Sequence, residues 1–174
     1  AEECNLNLFW DDLYNFFTGY KRIIGKEGIS LKYHKVDDSE MMIVTDILNL
    51  KHIFFNLIQN ALRFSEQGEV EFGIHCIQND LVTFYVSDNG IGIPEEKFDV
   101  IFKHFWQFDS SINPREGLGL GLSIAKGLVV LLGGNIWLKS EKNKGTVFYF
   151  TINTALHPKR VKSLSSSQLN TLRS

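Results

Sequence analysis

The run GLGLGL at residues 117–122 constrains the fold of this chain more than any other stretch. A glycine at every second position is a poor helix interior, because each glycine costs roughly 1 kcal/mol relative to alanine there. Apolar residues at helical spacing follow directly, however, and predict a helix from about 119 to 132. Successive backbone N–H groups that lead into a helix N-terminus form an anion site. A flexible hinge is the structural alternative, and a lid that closes over phosphate needs both properties.

The segment before these glycines, residues 109–116, is polar and poor in apolar residues, as a mobile lid would be. Arg115 within it is a candidate phosphate contact. An ordinary solvated loop charge is the alternative interpretation of that arginine.

A second glycine motif, DNGIGIP at residues 88–94, directly follows a strand pattern over 81–87. Its two glycines permit positive φ and close backbone approach, and Pro94 suits the start of a helix. A tight turn capped by an Asx side chain accounts for the same residues. The strand nevertheless delivers Asp88 to its end, where a carboxylate can accept a hydrogen bond from a buried amine, and Ile91 and Ile93 can supply apolar walls. A purine site is therefore the functional interpretation, and a plain turn is the structural one.

The third feature is a polar stripe on a long helix predicted over residues 46–65, with Asp46 as a candidate N-cap. Polar residues recur at spacings of three and four and so lie along one side of this helix, namely Asn49, His52, Asn56, Asn60 and Arg63. A merely solvated stripe favours Lys, Glu and Gln, which are better helix formers than Asn. Carboxamides followed by an arginine can offer a neutral oxygen to a metal and donors to phosphate. A solvated face remains the alternative.

The other elements alternate helices with hairpins. Apolar spacing predicts one helix over residues 6–24 and a short one near 95–101. Alternation predicts a strand at residues 29–35, and a short apolar run predicts one at 41–44. Further strands are predicted at residues 69–76, 81–87, 135–140 and 145–152. Turn residues predict hairpins at 38–39, 78–80 and 141–144. The chain is therefore predicted as an α/β (α+β) fold with a mixed, mostly antiparallel sheet and helices on one face.

Composition places the chain in the class of ordinary globular domains. It has 174 residues, of which 44% are hydrophobic and 22% charged. Its net charge of −2 does not indicate the basic surface that binding to nucleic acid requires. Its two cysteines fit a reduced, cytosolic context, and no apolar run is long enough to span a bilayer. We expect one domain over residues 1–153, which itself makes no membrane contact, and a polar, mobile tail over 154–174.

Other common nucleotide-binding motifs are absent from the sequence. It contains no GxxxxGK[ST], no GxGxxG after a strand, and no kinase glycine loop with a downstream HRD. A nucleotide-binding interpretation therefore depends on the three features above.

In this order, these motifs resemble the GHKL superfamily of ATPases and kinases, and within it the catalytic domain of two-component histidine kinases. The resemblance covers about residues 6 to 153. The matching boxes are the N box at 46–65 (DILNLKHIFFNLIQNALRFS), the G1 box at 88–94 (DNGIGIP), the F box at 101–110 (IFKHFWQFDS), the G2 box at 117–124 (GLGLGLSI) and the last glycine motif, which begins at 145–146.

The resemblance implies a two-layer α/β sandwich of about five strands and three helices that binds ATP with Mg²⁺. It implies Asn60 as the Mg²⁺ ligand, Asn56 and Arg63 near the phosphates, and Asp88 on the adenine amine. Phe64 and Ile93 would help to enclose the base. The full set of implied ATP-binding residues is Asn56, Asn60, Arg63, Phe64, Asp88, Gly90, Gly92, Ile93, Arg115, Gly117, Gly119, Leu120, Gly121, Leu122 and Thr146.

One position separates the members of this superfamily. The hydrolytic members carry a glutamate four residues before the metal-binding asparagine, where this chain has Asn56. An amide cannot accept a proton from water, so the general base of hydrolysis is missing. The chain therefore looks like a histidine kinase more than a hydrolase, and an anti-sigma-factor kinase or ATPase and a non-catalytic nucleotide-binding module stand as alternatives.

The phosphoacceptor is expected outside this chain. None of its five histidines is followed by the acidic residue and proline of the family's acceptor site. The resemblance thus implies a separate dimerisation and phosphotransfer domain as the partner, and a response regulator downstream. We expect a cytoplasmic domain whose parent protein can be anchored in the inner membrane.

Overall fold

The computed structural model describes residues 1–36, 41–103 and 120–156. Within these ranges the chain forms three α-helices, eight strands and a single 3₁₀ turn. In chain order they are β1 (Glu2–Asn5), α1 (Leu6–Ile23), β2 (Ile29–Tyr33), β3 (Met42–Thr45), α2 (Ile47–Arg63), β4 (Gly68–Gln78), β5 (Leu81–Asp88), the 3₁₀ turn (Glu95–Lys97), α3 (Gly121–Leu131), β6 (Ile136–Glu141), β7 (Gly145–Asn153) and β8 (Ala155–Leu156).

Side-chain caps define where the two long helices begin. The Asn5 side chain accepts a hydrogen bond from the Leu8 backbone N–H at 3.1 Å at the start of α1. Asp46 accepts from the Asn49 N–H at 3.0 Å at the start of α2, so the predicted cap is confirmed. Each cap satisfies one of the N–H groups that a helix leaves unpaired in its first turn.

The main sheet has five strands in the order β2-β4-β5-β7-β6. β2 runs parallel to β4, whereas the β4–β5, β5–β7 and β7–β6 pairs are antiparallel. The predicted turns at 78–80 and 141–144 do join paired strands. A mixed, mostly antiparallel sheet of about five strands is therefore confirmed.

The hairpin predicted at residues 38–39 is wrong. β2 pairs with β4 in the main sheet, whereas β3 belongs to a second, three-stranded sheet of order β1-β3-β8. Both segments are strands, as predicted, but a strand pattern does not specify a partner, and each of them pairs with a strand elsewhere in the chain. The sequence analysis missed β1 and β8, which are short.

Two helix predictions changed in extent. The helix expected near 95–101 begins as the 3₁₀ turn, held by an N–H of Lys97 that donates to the Pro94 carbonyl at 2.9 Å. Such i to i−3 bonds propagate poorly, so the segment does not extend into an α-helix. The helix expected over 119–132 is α3. Residues 104–119, which include most of the F box and the upstream part of the G2 box, lie outside the described residues.

Aromatic side chains join the helices to one face of the main sheet. Trp10 of α1 and Phe54 of α2 are fully buried, with ring centroids 5.2 Å apart. Phe54 also packs edge-on against Phe84 of β5 and Phe150 of β7, at 5.5 and 5.1 Å. Edge-to-face aromatic pairs at these distances add to the stabilisation from burial. This is the two-layer sandwich that the sequence predicted.

Candidate functional site

The candidate site lies at one end of the helix-covered face of the main sheet. Because side chains of a strand alternate between faces, the face that carries the buried Phe84 and Val86 of β5 also carries Asp88. Asp88 pairs with Thr146 of β7, which in turn pairs with Ser140 of β6. The register thus sets one carboxylate and two hydroxyls in a row, which we call the polar row (Asp88, Thr146, Ser140).

Asp88 is buried, with 8% of its surface exposed. Its Oδ1 accepts the Gly90 N–H at 2.8 Å, and its carboxylate also accepts the Thr146 backbone N–H. Burial raises the pKa of this carboxyl from 3.8 to about 6, and the two backbone donors only partly oppose that rise. Within residues 1–36, 41–103 and 120–156, no ion pair with Asp88 is found. A buried carboxylate in this setting is an acceptor suited to a neutral N–H donor.

The loop of residues 88–94, here called the G1 loop, requires glycine because of contacts within the protein. A Cβ on Gly90 would collide with the Phe64 carbonyl oxygen and would lie 2.8 Å from Asp88 Oδ1. Gly92 has φ +72°, and a Cβ there would collide with the Glu141 carbonyl. The predicted positive φ is thus found at Gly92, whereas Gly90 is required by close approach alone.

Two other elements hold the G1 loop in place. On one side, the Ile91 N–H donates to the carbonyl of Phe64, which caps the C-terminus of α2, at 3.3 Å. On the other side, the Asn143 N–H in the β6–β7 turn donates to the Ile91 carbonyl at 2.7 Å. The Ile93 N–H donates to Ser140 Oγ at 2.7 Å. The loop is therefore fixed between the end of α2 and the β6–β7 hairpin.

The polar stripe of α2 meets the start of α3 at Asn56. Asn56 is half-buried, and its Nδ2 donates to the His52 carbonyl at 2.9 Å, one turn back in the same helix. Its Oδ1 lies 3.1 Å from the position that a Cβ on Gly121 would occupy. Asn60 and Arg63 follow along the stripe, and both are half-buried. Any side chain larger than glycine at 121 would crowd this carboxamide.

The end of α2 links this stripe to the G1 loop. The Arg63 guanidinium lies over the Phe64 ring, 5.4 Å from its centroid, so the arginine charge sits beside an aromatic face. Phe64 is half-buried and, through its carbonyl, contacts the G1 loop. The helix that carries the carboxamide stripe therefore ends at Phe64, whose carbonyl contacts the G1 loop.

Most of the sequence-predicted residues come together in two adjoining groups. Asp88, Gly90, Gly92, Ile93, Thr146 and Phe64 surround the polar end of the sheet. Asn56 and Gly121 meet where α2 and α3 pack, with Leu120 at the α3 N-cap position and Leu122 packed on the core. Arg115, Gly117 and Gly119 lie outside the described residues.

Ser140 was missed by the sequence analysis. A signal was present, since Ile136 and Leu138 share its face of β6 at period two, and a serine continues that apolar row. Its contacts, however, depend on the pairing of β6 with β7 and on the approach of the G1 loop, and alternation does not reveal either.

The donor set around α2 suits a metal that is carried mainly by a bound phosphate. In the described part of the chain, no group of three or more His, Cys, Asp or Glu side chains can hold a metal ion. The stripe offers carboxamide oxygens at Asn56 and Asn60. Mg²⁺ keeps several waters and is commonly held by one or two protein oxygens together with substrate phosphates, so this set fits Mg²⁺.

Residues 45–156 match the sequence profile of the histidine kinase-, DNA gyrase B- and HSP90-like ATPase family. This chain belongs to that family. The match runs from the strand before the α2 cap to β8, and so includes every described part of the candidate site.

Curated relatives are sensor kinases. The chain is 38% identical over 151 residues to the autoinducer 2 sensor kinase/phosphatase LuxQ of Vibrio vulnificus, covering 83% of this chain and 18% of LuxQ. It is 38% identical over 113 residues to the aerobic respiration control sensor protein ArcB of Escherichia coli, covering 64% of this chain and 14% of ArcB. The chain therefore spans about a sixth of the length of these relatives.

Solved structures with the same fold include a catalytic domain of similar size. The catalytic domain of the histidine kinase ThkA superimposes with a TM-score of 0.70 at 29% identity, covering 87% of this chain and 93% of that one. Full-length ShkA in complex with AMPPNP gives 0.76 at 27% identity, covering 88% of this chain and 31% of that one. Across the parts of this chain that the structure describes, no helix is long and apolar enough to cross a membrane.

Proposed function

We propose that this domain binds ATP with Mg²⁺ and supplies its γ-phosphoryl group to a histidine on a separate dimerisation and phosphotransfer domain. One observation carries the proposal: Asp88 is a buried carboxylate at the end of β5, without an ion pair among the described residues. Burying such a group is costly, so its presence calls for a ligand that donates to it.

Adenine fits this carboxylate better than guanine does. The exocyclic amine of adenine is a donor, whereas guanine presents a carbonyl at that position and would set two acceptors against each other. A site built on one buried hydrogen bond discriminates strongly against a ligand that leaves it unpaired. Phe64, whose carbonyl contacts the G1 loop, and Ile93, within that loop, would supply apolar surface for the base.

The phosphates would extend from Asp88 toward α2 and the start of α3. Asn56 and Gly121 lie close together there, and the N-terminus of α3 presents backbone N–H groups. Arg63 would add positive charge, and Asn60 an amide oxygen for the Mg²⁺ that accompanies ATP. Bound Mg²⁺ would neutralise charge on the β- and γ-phosphates.

The acceptor would be an imidazole nitrogen from outside this chain. Its N–P bond forms as the bond between the γ-phosphorus and the bridging oxygen of ADP breaks, and ADP leaves. This chemistry depends on positioning and charge neutralisation, so it needs no general base at residue 56. Asn56 supports transfer over hydrolysis because an amide cannot deprotonate water.

The relatives favour a kinase over the ATPase, anti-sigma-factor kinase and nucleotide-sensing alternatives. LuxQ is named a sensor kinase/phosphatase, ArcB a sensor protein, and the similar BarA of Escherichia coli a signal transduction histidine-protein kinase, and ShkA was solved with AMPPNP. By analogy, the partners would be a histidine-bearing domain and a downstream response regulator. The parent would be a cytoplasmic or inner-membrane-anchored sensor protein.

Calorimetry and labelling together test the proposal. The chain should bind Mg-ATP with a Kd between about 1 μM and 1 mM and bind Mg-GTP at least tenfold more weakly. Asp88→Asn should lose detectable binding. Alone, the chain should incorporate no stable label from γ-labelled ATP, whereas added histidine domain from its parent protein should become labelled. ATP hydrolysis by the lone chain at about 1 s⁻¹ or faster would contradict the kinase assignment.

A further inference from the structure

Strand β6 forms one edge of the main sheet, because it pairs with β7 on one side. In the register of that pair, the Thr151 N–H donates to the carbonyl of Asn135, the residue before β6, at 2.8 Å. Backbone groups of an antiparallel strand alternate in direction, so every second residue of β6 points its N–H and C=O away from β7. These residues are Ile136, Leu138 and Ser140. Among the described residues, no backbone hydrogen bond reaches these outer groups.

β6 has few of the features by which edge strands avoid pairing. Very short strands, bulges, prolines and lysines are the common ones. β6 is six residues long, has no proline and pairs with β7 in continuous register, whereas β4 carries an irregularity between Ile74 and Cys76. Lys139, on the face of the sheet away from the helices, is the candidate obstacle. The contacts that suit Lys139 therefore decide whether this edge accepts a further strand.

On that open face, β6 carries an indole and a cation two residues apart. Trp137 is 36% exposed and stacks on Tyr149 of β7, with ring centroids 5.7 Å apart. Lys139 is exposed, and its Nζ lies 5.8 Å from the centroid of the same tyrosine ring. Within residues 1–36, 41–103 and 120–156, no ion pair of Lys139 is found, whereas Lys32 on the opposite edge strand pairs with Glu69. The cation and the exposed indole are thus both available to an added strand.

A second copy of this chain complements the edge. Two β6 strands related by a two-fold axis pair antiparallel, and the outward residues of one oppose the outward residues of the other. With Leu138 opposite Leu138 of the second copy, Trp137 of each copy lies opposite Lys139 of the other. A shift of two residues one way sets the two lysines against each other, which is unfavourable. The opposite shift sets the two tryptophans together and each lysine opposite Asn135.

The register centred on Leu138 is therefore the one that places each cation over an indole. Trp137 and Lys139 then form the closely spaced pairs that exchange no backbone hydrogen bonds, where side chains of neighbouring strands approach most closely. The hydrogen-bonded pairs between them come from the outward residues of both copies.

We propose that β6 is a self-association edge, through which two copies of this chain join their main sheets with Trp137 of each packed against Lys139 of the other. This pairing goes beyond the proposed function and needs no nucleotide. The dimerisation domain of the proposed function would hold two copies at an effective concentration of about 1 mM for a short flexible connection. A weak contact is sufficient at that concentration.

Sedimentation velocity of the chain between about 10 μM and about 1 mM tests the pairing. We expect a reversible dimer with a Kd of about 100 μM, because one short edge strand gives a small interface. Lys139→Glu should weaken the dimer about tenfold or more, because a carboxylate replaces the cation over the indole. Arg22→Glu is the matched control, since it makes the same change of charge at an exposed position of α1, which packs near β2 at the opposite edge. This control should leave the Kd unchanged.

Lys139→Thr separates a pairing residue from an obstacle. It should weaken the dimer about fivefold, because the contact with the indole is lost. If Lys139 instead blocks the edge, removing its charge should strengthen association. Stronger association of Lys139→Thr would therefore overturn the proposal, as would a wild-type chain that stays monomeric at about 1 mM.

Amide hydrogen exchange at the two concentrations tests the hydrogen bonds. The N–H groups of the outward residues of β6 should exchange about fourfold more slowly at about 1 mM than at about 10 μM, as that Kd requires. The N–H groups of Trp137 and Lys139 already bond to β7, so their exchange should not change with concentration. The same slowing at both sets of residues, or at neither, would contradict edge pairing.

Cysteine cross-linking determines the register. In a Cys76→Ser background, chains with Trp137→Cys and chains with Lys139→Cys should form a disulfide when mixed, because the two positions oppose each other. The second Trp–Lys contact of that mixed dimer stays intact. The remaining native cysteine, Cys4, is buried. A disulfide dimer of either variant alone, or none in the mixture, would overturn the proposal.

Discussion

The two ends of the helix-covered face of the main sheet are built from the same strands and have opposite character. At one end, Phe84 of β5 and Phe150 of β7 stack on each other and pack against Phe54. At the other end, the same two strands carry Asp88 and Thr146, next to the C-terminus of α2. Strand alternation places the phenylalanines and the polar pair on the same face of the sheet. The two regions differ only in which residues the strands carry there, and the polar residues form the candidate site.

The difference shows how stability and function are divided in this domain. Burial of the phenylalanine rings stabilises the fold, whereas burial of the Asp88 carboxylate opposes it, as its raised pKa shows. The packed end is joined to the G1 loop through strands β5 and β7, which carry residues of both ends. Substitutions at the packed end should therefore lower stability with little effect on ligand affinity, whereas substitution of Asp88 should abolish ligand binding and raise the stability of the ligand-free protein.

The largest expected effect is at the packed end. Phe54→Ala should lower the free energy of unfolding by about 3–5 kcal/mol, because it empties the space between five aromatic neighbours. Urea unfolding measures this loss, and calorimetry below the transition should find Mg-ATP affinity within about twofold of wild type. Phe16→Ala, at a phenylalanine that is 45% exposed, is the control and should cost less than half as much. Equal losses at both positions would contradict the division.

At the polar end, Asp88→Asn should stabilise the ligand-free protein at pH 7.5, by up to about 3 kcal/mol. The pKa of the folded-state carboxyl is about 6, against an ordinary value of 3.8. The proton is thus held more tightly in the folded protein, and the associated stability is present below about pH 4 and is lost as pH rises through about 6. An uncharged amide avoids that loss.

The stability gain from Asp88→Asn should therefore shrink toward pH 4, when unfolding is measured across pH 4–8. Asp99→Asn, at an exposed position, is the matched control and should show little difference at any pH. Destabilisation by Asp88→Asn at every pH would mean that the carboxylate supports the fold instead of opposing it.

A smaller effect is expected on the stripe of α2. Asn60→Ala should reduce the gain in ATP affinity that Mg²⁺ provides by roughly tenfold, because the amide oxygen is lost as a ligand. Calorimetric titrations with ATP in the presence and absence of Mg²⁺ measure this linkage. Gln59→Ala removes the neighbouring carboxamide of the same helix and should leave the linkage unchanged. An equal Mg²⁺ dependence in Asn60→Ala and wild type would refute the metal assignment.

The sequence predicted local features well. The Asp46 cap, the buried face of α2, and the delivery of Asp88 to the end of β5 all follow from spacing within one element. These properties depend on residues that are neighbours along the chain, where helical and strand periodicities are reliable guides.

What could not be predicted involves contacts between distant segments. The assignment of β2 and β3 to different sheets depends on β4 and β1 as partners. The requirement for glycine at 90 and the contacts of Ser140 arise from the approach of α2 and the β6–β7 hairpin to the G1 loop. Neither of these contacts between distant segments produces a periodic pattern in the sequence.

The central claim, that the polar end binds the purine, is tested most directly by amide chemical shifts in NMR spectra recorded with and without Mg-ATP. The account predicts large shifts for Gly90 and Thr146, whose N–H groups both donate to Asp88, and for Ile91, which donates to Phe64. The amides of Asn135 and Thr151, at the far end of the hairpin, should not move. Absence of shifts at millimolar Mg-ATP, or shifts concentrated at the far end, would contradict the account.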